Sequence, residues 1–117
     1  ETVASAIRIG NPASWQGAVA AGNESGGIID MVSDNEILEA YRLLAVKGGI
    51  FGEPASAASL AGLLKLSRKG MDFSQKKVVC VITGTGLKDA DIALKGVEPF
   101  PELPADLMLV EQTLGWA

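Results

Sequence analysis

Residues 77–83, with the sequence KVVCVIT, form a continuous apolar run that lies between charged residues and a pair of glycines. A short run of β-branched and apolar residues with these boundaries predicts a strand buried on both faces. Such strands are typical of parallel sheets whose two faces are covered by helices. The run therefore favours an α/β fold for this chain.

The remaining segments predict helices and strands that alternate. Residues 2–9 and 28–32 are rich in β-branched or apolar residues and predict two more strands, each next to a glycine-containing turn. Helices are predicted over residues 15–21, 34–47, 54–69, 89–95 and 105–114. This order of elements is typical of an α/β domain. Residues 96–104 hold three of the five prolines and predict an extended surface linker.

The two central helices have the clearest local signals. Ser33 and Glu36 have the spacing of a capping box, which begins a helix that Gly48 and Gly49 end. Pro54 suits the first position of the next helix, because its missing N–H would be unpaired there. Residues 55–59 of that helix, ASAAS, carry small side chains. This stretch indicates close approach to a neighbour, which could be a sheet or a flat ligand.

Composition excludes several classes of function. A net charge of −4 without a basic patch argues against binding nucleic acid. The chain has no histidine and one cysteine, so neither a Ser-His-Asp triad nor a zinc site can be built from it. Cys80 lies inside the apolar run, where it behaves as a small hydrophobe, and a lone cysteine suits the reducing cytoplasm. No apolar stretch approaches the ~20 residues that span a membrane, and no signal peptide is visible. Because the first residue is Glu1 and not Met, we expect the N-terminus of the gene product to lie upstream.

Residues 83–86, TGTG, are the first candidate for a ligand site, because ligands of open α/β sheets collect at the carboxyl ends of strands. The glycines permit close approach of the backbone, and a following helix offers free N–H groups. The spacing matches neither a P-loop nor the dinucleotide fingerprint, so spacing alone favours a tight turn. Glu53 precedes the helix of small residues, and in isolation it is best interpreted as a carboxylate that caps this helix.

Three segments together resemble the threonine synthase family. They are ASAIRIGNPASW at residues 4–15, GIFGEPASAA at residues 49–58 and TGTGLKD at residues 83–89. The resemblance covers residues 1–95 in collinear order, and the first segment best separates this family from serine and threonine dehydratases and cysteine synthases. Thr85 departs from the pattern, since many members carry histidine at that position.

The resemblance implies part of a fold-type II pyridoxal-phosphate (PLP) enzyme, in the mostly parallel, helix-covered sheet domain of the tryptophan synthase β-like kind. It divides the chain into residues 1–95 of the PLP-binding domain, a Pro-rich linker at residues 96–105 and a terminal helix at residues 106–117. Thr83 matches the hydroxyl that binds the pyridine nitrogen of PLP. Unlike a carboxylate, this neutral group would not hold the ring protonated. Glu53 matches a position that lines the cofactor pocket, and Ala6 matches a backbone position close to the ring.

The resemblance also implies that the segment lacks essential parts of the site. The covalent lysine, the asparagine beside the 3-hydroxyl of PLP and the glycine-rich phosphate loop belong to upstream sequence in this family. No lysine of this chain lies in the matching context. We therefore expect a C-terminal fragment that is inactive alone. Its full chain would convert O-phospho-L-homoserine and water to L-threonine and phosphate. The partners of the fragment would be the missing N-terminal half of the same chain and, in a homodimer, a second copy of the protein.

Two other interpretations stay open. The chain could be a fragment of a PLP-dependent serine or threonine dehydratase, which would release a 2-oxo acid instead of phosphate. It could also be a non-catalytic interaction module that keeps part of the PLP fold. A free-standing nucleotide-binding domain has only the weak glycine loop in its favour.

Overall fold

A computed structural model describes residues 1–116 of the chain. The helical elements within this range are two 3-10 helices, Ser5–Ile7 and Gly86–Asp89, and five α-helices. In chain order the α-helices are α1 (Trp15–Ser25), α2 (Asp34–Gly48), α3 (Pro54–Arg68), α4 (Ala90–Lys95) and α5 (Leu107–Leu114).

The three segments predicted as strands form no sheet within residues 1–116. Residues 28–32 and 77–83 have no regular secondary structure. Residues 2–9, predicted to be extended, instead contain the 3-10 helix Ser5–Ile7, and this prediction was wrong. One isolated antiparallel bridge joins Gly52 and Thr85. A strand needs neighbouring backbone for its N–H and C=O groups, and residues 77–83 have no such neighbour here. The sheet of the predicted α/β fold is therefore not confirmed.

A pair of packed helices, α2 and α3, forms the centre of the structure. Ile37 and Ala40 of α2 and Ala57 and Ala61 of α3 are at most 2% exposed. Ala4, beside the first 3-10 helix, is fully buried in the same cluster. Because most of these side chains are alanines, the backbones approach closely while little apolar volume is buried. The small residues of α3 thus pack against α2 and the N-terminal segment.

The signals predicted at both ends of α2, and Pro54 at the start of α3, are confirmed by the structure. The Ser33 hydroxyl accepts a hydrogen bond from the N–H of Glu36, and the Glu36 carboxylate accepts one from the N–H of Ser33, so the capping box is complete. Gly49 ends α2 in the left-handed conformation, with φ of +64°. Pro54 is the first residue of α3. Helix α1 runs on to Ser25, beyond the predicted end, and Gly26 ends it with φ of +65°.

The C-terminal quarter of the described chain is loosely attached. Residues 97–106 have no helix or strand, and no residue of α4 or α5 is buried. The radius of gyration is 18.6 Å, whereas a compact domain of 100 residues has one of about 13 Å. The described part of the chain is therefore more extended than an independent domain of its length.

No helix within residues 1–116 is both long and apolar enough to cross a membrane.

Candidate functional site

Two segments from different parts of the chain meet side by side at the start of α3. The N–H of Glu53 donates to the carbonyl of Gly84 at 3.0 Å, and the N–H of Gly86 donates to the carbonyl of Phe51 at 2.9 Å. With the bridge between Gly52 and Thr85, these bonds align residues 51–53 with residues 84–86 in opposite directions. Two of the three segments that carry the family resemblance are thus adjacent in space.

Ser56 connects this pair of segments to the end of the apolar run. It lies in the first turn of α3 and is 1% exposed. Its Oγ accepts a hydrogen bond from the N–H of Gly84 at 2.7 Å. The same Oγ lies 3.1 Å from the Oγ1 of Thr83 and 3.1 Å from the carbonyl oxygen of Gly84. One buried hydroxyl therefore fixes the backbone and the side chain at the point where residues 77–83 end.

Glu53 lies beside the same turn, and its carboxylate does not cap the helix. The residue occupies the N-cap position of α3, but its side chain makes no capping hydrogen bond, so the interpretation of Glu53 as a helix cap was wrong. The residue is 5% exposed, and its carboxylate lies against Gly84. A Cβ atom on Gly84 would be 2.2 Å from Glu53 Oε1. The carboxylate can lie here only because residue 84 has no side chain.

A second glycine makes the close approach of the two segments possible. Gly86 is buried, and a Cβ atom at this position would lie 2.4 Å from Cε2 of Phe51. Neither Gly84 nor Gly86 has a positive φ, so both positions need glycine for space and not for backbone conformation. The two glycines thus allow two segments of the chain to approach each other, while the expected close approach to a ligand stays a prediction.

Ala6 is exposed on the first 3-10 helix, apart from Thr83 and Glu53. This 3-10 helix packs against α3, and the neighbouring Ser5 hydroxyl donates to the Asp89 carboxylate at 3.0 Å. The pKa of the Tyr41 phenol on α2 is raised, first by burial of the side chain and second by the negative charge of the Asp89 carboxylate. The structure therefore brings Thr83 and Glu53 to the same turn beside Ser56 and Gly84, and Ala6 takes no part in the hydrogen bonds of this cluster.

Within residues 1–116, no hydrogen bond or ion pair joins a lysine side chain to Ser56, Thr83 or Glu53. Lys65, the least exposed lysine of the ion pairs, contacts the Asp30 carboxylate at 3.0 Å and donates to the Met31 carbonyl, and both acceptors lie in residues 28–32. This contact lowers the pKa of Asp30. Among residues 1–116, no group of three or more potential metal-binding side chains converges. The arrangement offers a hydroxyl at Thr83 that can form a hydrogen bond with a polar ligand.

Comparison with known proteins gives the class of protein to which this chain belongs. Residues 1–84 match the family model described as pyridoxal-phosphate dependent enzyme, and the chain belongs to this family, which uses PLP as its cofactor. Within it the chain is similar to proteins named threonine synthase. It is 61% identical to the one from Bacillus sp. (strain ULM1) over 80% of this chain and 27% of that protein. The chain is 51% identical to the threonine synthase of Mycobacterium bovis over 100% of this chain and 32% of that protein.

A third relative is less similar in sequence than these two. The threonine synthase of Methanocaldococcus jannaschii is 46% identical over 97% of this chain and 28% of that protein. The chain thus spans about a third or less of the length of these curated relatives, at 27%, 32% and 28%.

The residues present fit one side of a PLP site. The exposed Thr83 can offer a neutral hydroxyl to a ring nitrogen, while the space beside Gly84 is filled by the Glu53 carboxylate. The nearby Glu53 carboxylate makes no hydrogen bond that caps α3, and it is packed against Gly84. Among Thr83, Glu53 and Ser56, Thr83 is the exposed residue, so its hydroxyl is the group of this cluster that is open to a ligand. A covalent lysine and a phosphate loop do not form part of this cluster.

Ser56 is the residue that reasoning from sequence missed. It belongs to the ASAAS stretch, which was interpreted only as a set of small side chains. The sequence signal that could have identified Ser56 is its position. A hydroxyl residue in the first turn of a helix that begins with proline cannot be the N-cap, so its side chain needs another hydrogen-bond partner. That partner is 27 residues away in the sequence.

Proposed function

We propose that this chain is the C-terminal third of a longer PLP enzyme that converts O-phospho-L-homoserine and water to L-threonine and phosphate. In this reaction the C–O bond at Cγ breaks and phosphate leaves, and Cγ gains a proton. Cβ loses a proton and takes the hydroxyl group of water, and the other hydrogen of the water goes to the departing phosphate, so the atoms balance. The observation that carries the proposal is the similarity to threonine synthases. It extends over the residues that form the hydrogen-bonded group of Ser56, Thr83 and Gly84.

PLP, when bound, supplies the electron sink for the chemistry at Cβ and Cγ. Thr83 would hold the pyridine nitrogen with its hydroxyl, Glu53 would line the ring side of the pocket, and the backbone at Ala6 would lie near the ring once the upstream part of the protein completes the site. A hydroxyl does not hold the ring nitrogen protonated as a carboxylate would. The weaker electron sink that results suits a reaction in which charge must move on to Cγ.

The rest of the active site lies in the upstream part of the longer protein, which supplies the covalent lysine and the phosphate loop. An open groove of about 610 Å³ supports this arrangement. It lies between α3 and the two segments 28–32 and 78–80, and its lining is mostly apolar, with Ile28, Val32, Phe73 and Val78 among the side chains. These segments were predicted as strands. We propose that upstream strands pair with them and complete the parallel sheet of a fold-type II enzyme, within a cytoplasmic homodimer.

The first experiment measures inorganic phosphate released from O-phosphohomoserine by the full-length protein with added PLP. Phosphate and threonine in equal amounts are the expected products. A 2-oxo acid formed from serine or threonine, without phosphate release, would assign the protein to the dehydratases. No turnover of any of these substrates would contradict an enzymatic role and favour an interaction module.

Thr83→Val tests the residue assigned to the cofactor, because valine keeps the shape of threonine without its hydroxyl. We expect the variant to bind PLP about tenfold more weakly, the effect of one lost hydrogen bond of about 1.4 kcal/mol, and to shift the absorption maximum of the bound cofactor. Thr85→Val is the matched control, since Thr85 is also exposed and its hydroxyl only accepts from the N–H of Leu87, at 3.5 Å. Equal behaviour of the two variants would overturn the role of Thr83.

A further inference from the structure

The Ser56 hydroxyl has more potential partners than it can satisfy at one time. A serine hydroxyl donates one hydrogen and accepts through two lone pairs. The N–H of Gly84 occupies one lone pair, at 2.7 Å. The single hydrogen of Ser56 then has two possible acceptors at the same distance of 3.1 Å, the Gly84 carbonyl and the Oγ1 of Thr83.

The Gly84 carbonyl does not depend on Ser56. It already accepts a hydrogen bond from the N–H of Glu53, at 3.0 Å, so it stays satisfied when Ser56 donates elsewhere. The Oγ1 of Thr83, in contrast, makes its one side-chain hydrogen bond within residues 1–116 to Ser56. The direction of that bond decides what Thr83 can do for a ligand.

Two arrangements are possible, and they give Thr83 opposite properties. If Ser56 donates to Thr83, the hydrogen of Thr83 is free and can be donated to a ring nitrogen without a proton. If Thr83 donates to Ser56, Thr83 can only accept through its lone pairs, which suits a protonated ring nitrogen. Because Ser56 is only 1% exposed, its hydrogen is directed to one of these two protein acceptors.

We propose that Ser56 is a positioning residue that donates its hydrogen to Thr83 and so directs the hydrogen of Thr83 to the unprotonated pyridine nitrogen of PLP. The inference rests on the proposed contact between Thr83 and the cofactor, and it deepens that proposal. Ser56 does not touch the cofactor. It selects the protonation state of the ring that Thr83 can bind.

The test uses the full-length protein reconstituted with PLP that carries ¹⁵N at the ring nitrogen. In Ser56→Ala we expect the ¹⁵N resonance to move toward the value of a ring nitrogen without a hydrogen-bond donor, and PLP binding to weaken about fivefold. Ser59→Ala is the matched control on the same helix. Its hydroxyl contacts the Val81 carbonyl at 3.3 Å and the Ser56 carbonyl at 3.1 Å but not Thr83, so the resonance should stay in place.

A double-mutant cycle separates positioning from general support of the fold. If Ser56 acts through Thr83, Ser56→Ala causes no additional shift of the ¹⁵N resonance in the Thr83→Val background. An equal shift in both backgrounds would overturn the proposal, as would no shift in the wild-type background. If Ser56→Ala does not fold, Ser56→Cys keeps the packing with a weaker donor and should shift the resonance in the same direction.

The same measurements separate this inference from the proposed function. If Thr83→Val leaves the ¹⁵N resonance unchanged, the contact between Thr83 and the cofactor is absent, and the inference fails with it. If Thr83→Val moves the resonance and neither Ser56 variant does, only the inference about Ser56 fails.

Discussion

Gly84 and Glu53 show how a single missing side chain shapes the candidate site. The Glu53 carboxylate occupies the space that a Cβ atom of residue 84 would need, at 2.2 Å from Oε1 and 2.6 Å from Cδ. Both distances are far below ordinary contact, while the backbone of Gly84 has no positive φ. The position of Glu53 therefore depends on the absence of a side chain at residue 84 and not on a special conformation there.

Gly84→Ala is expected to displace the Glu53 carboxylate and to lower the free energy of unfolding of the full-length protein by about 1–3 kcal/mol, the usual cost of overpacking. Glu53→Ala removes the clashing atoms, so the double variant should recover most of this loss. Thermal unfolding of the two single variants and the double variant measures the coupling. Strictly additive losses would show that the two residues do not compete for space.

At the scale of elements, helix α2 carries a capping box whose strength depends on pH. The Glu36 carboxylate accepts from the N–H of Ser33 at 2.7 Å and from its hydroxyl at 2.9 Å. These hydrogen bonds lower the pKa of Glu36, the backbone one most strongly. Because the pKa is lower in the folded state, the stabilisation is complete above the ordinary carboxylate pKa. It is lost as the pH falls through the lowered value.

Glu36→Gln tests this dependence, since glutamine keeps the shape but cannot ionise. We expect the full-length variant to be less stable than the wild type near neutral pH and to approach the wild-type stability as the pH falls below the ordinary carboxylate range. Unfolding in denaturant at a series of pH values measures the difference. Glu24→Gln is a suitable control, because Glu24 takes part in no capping box. A constant difference at every pH would contradict the assignment.

The sequence predicts the helices well and the site only in part, for one physical reason. The starts of α2 and α3 depend on residues within a single turn, such as Ser33, Glu36 and Pro54, so a local pattern is sufficient. A strand over residues 77–83 depends on backbone partners distant in sequence, which the described residues do not provide. The contact of Ser56 with Thr83 is also non-local. Thr83 and Glu53 came from a resemblance to a family, and their proximity required the structure.

At the scale of the whole molecule, the described chain leaves its most apolar segments uncovered. Exposure reaches 67% for Ile29, 87% for Val79 and 65% for Val81. These residues belong to the segments predicted as strands, whose unpaired backbone would also be open to association with other chains. Uncovered apolar segments together with an extended shape, with principal extents of 62 × 35 × 18 Å, are typical of part of a domain and not of a whole one.

The isolated 117-residue chain is therefore expected to self-associate or to remain without a cooperative unfolding transition, because the groove beside α3 has nothing to fill it. Light scattering after size-exclusion chromatography, together with thermal unfolding, measures both properties. Co-expression with the upstream part of the full-length protein should give a soluble complex, since upstream strands would cover Val79 and Val81. As a control, Val79→Lys and Val81→Lys should reduce self-association of the isolated chain and prevent formation of the complex. A monodisperse monomer that unfolds cooperatively would show that these segments need no partner, and it would contradict the proposed pairing with upstream strands.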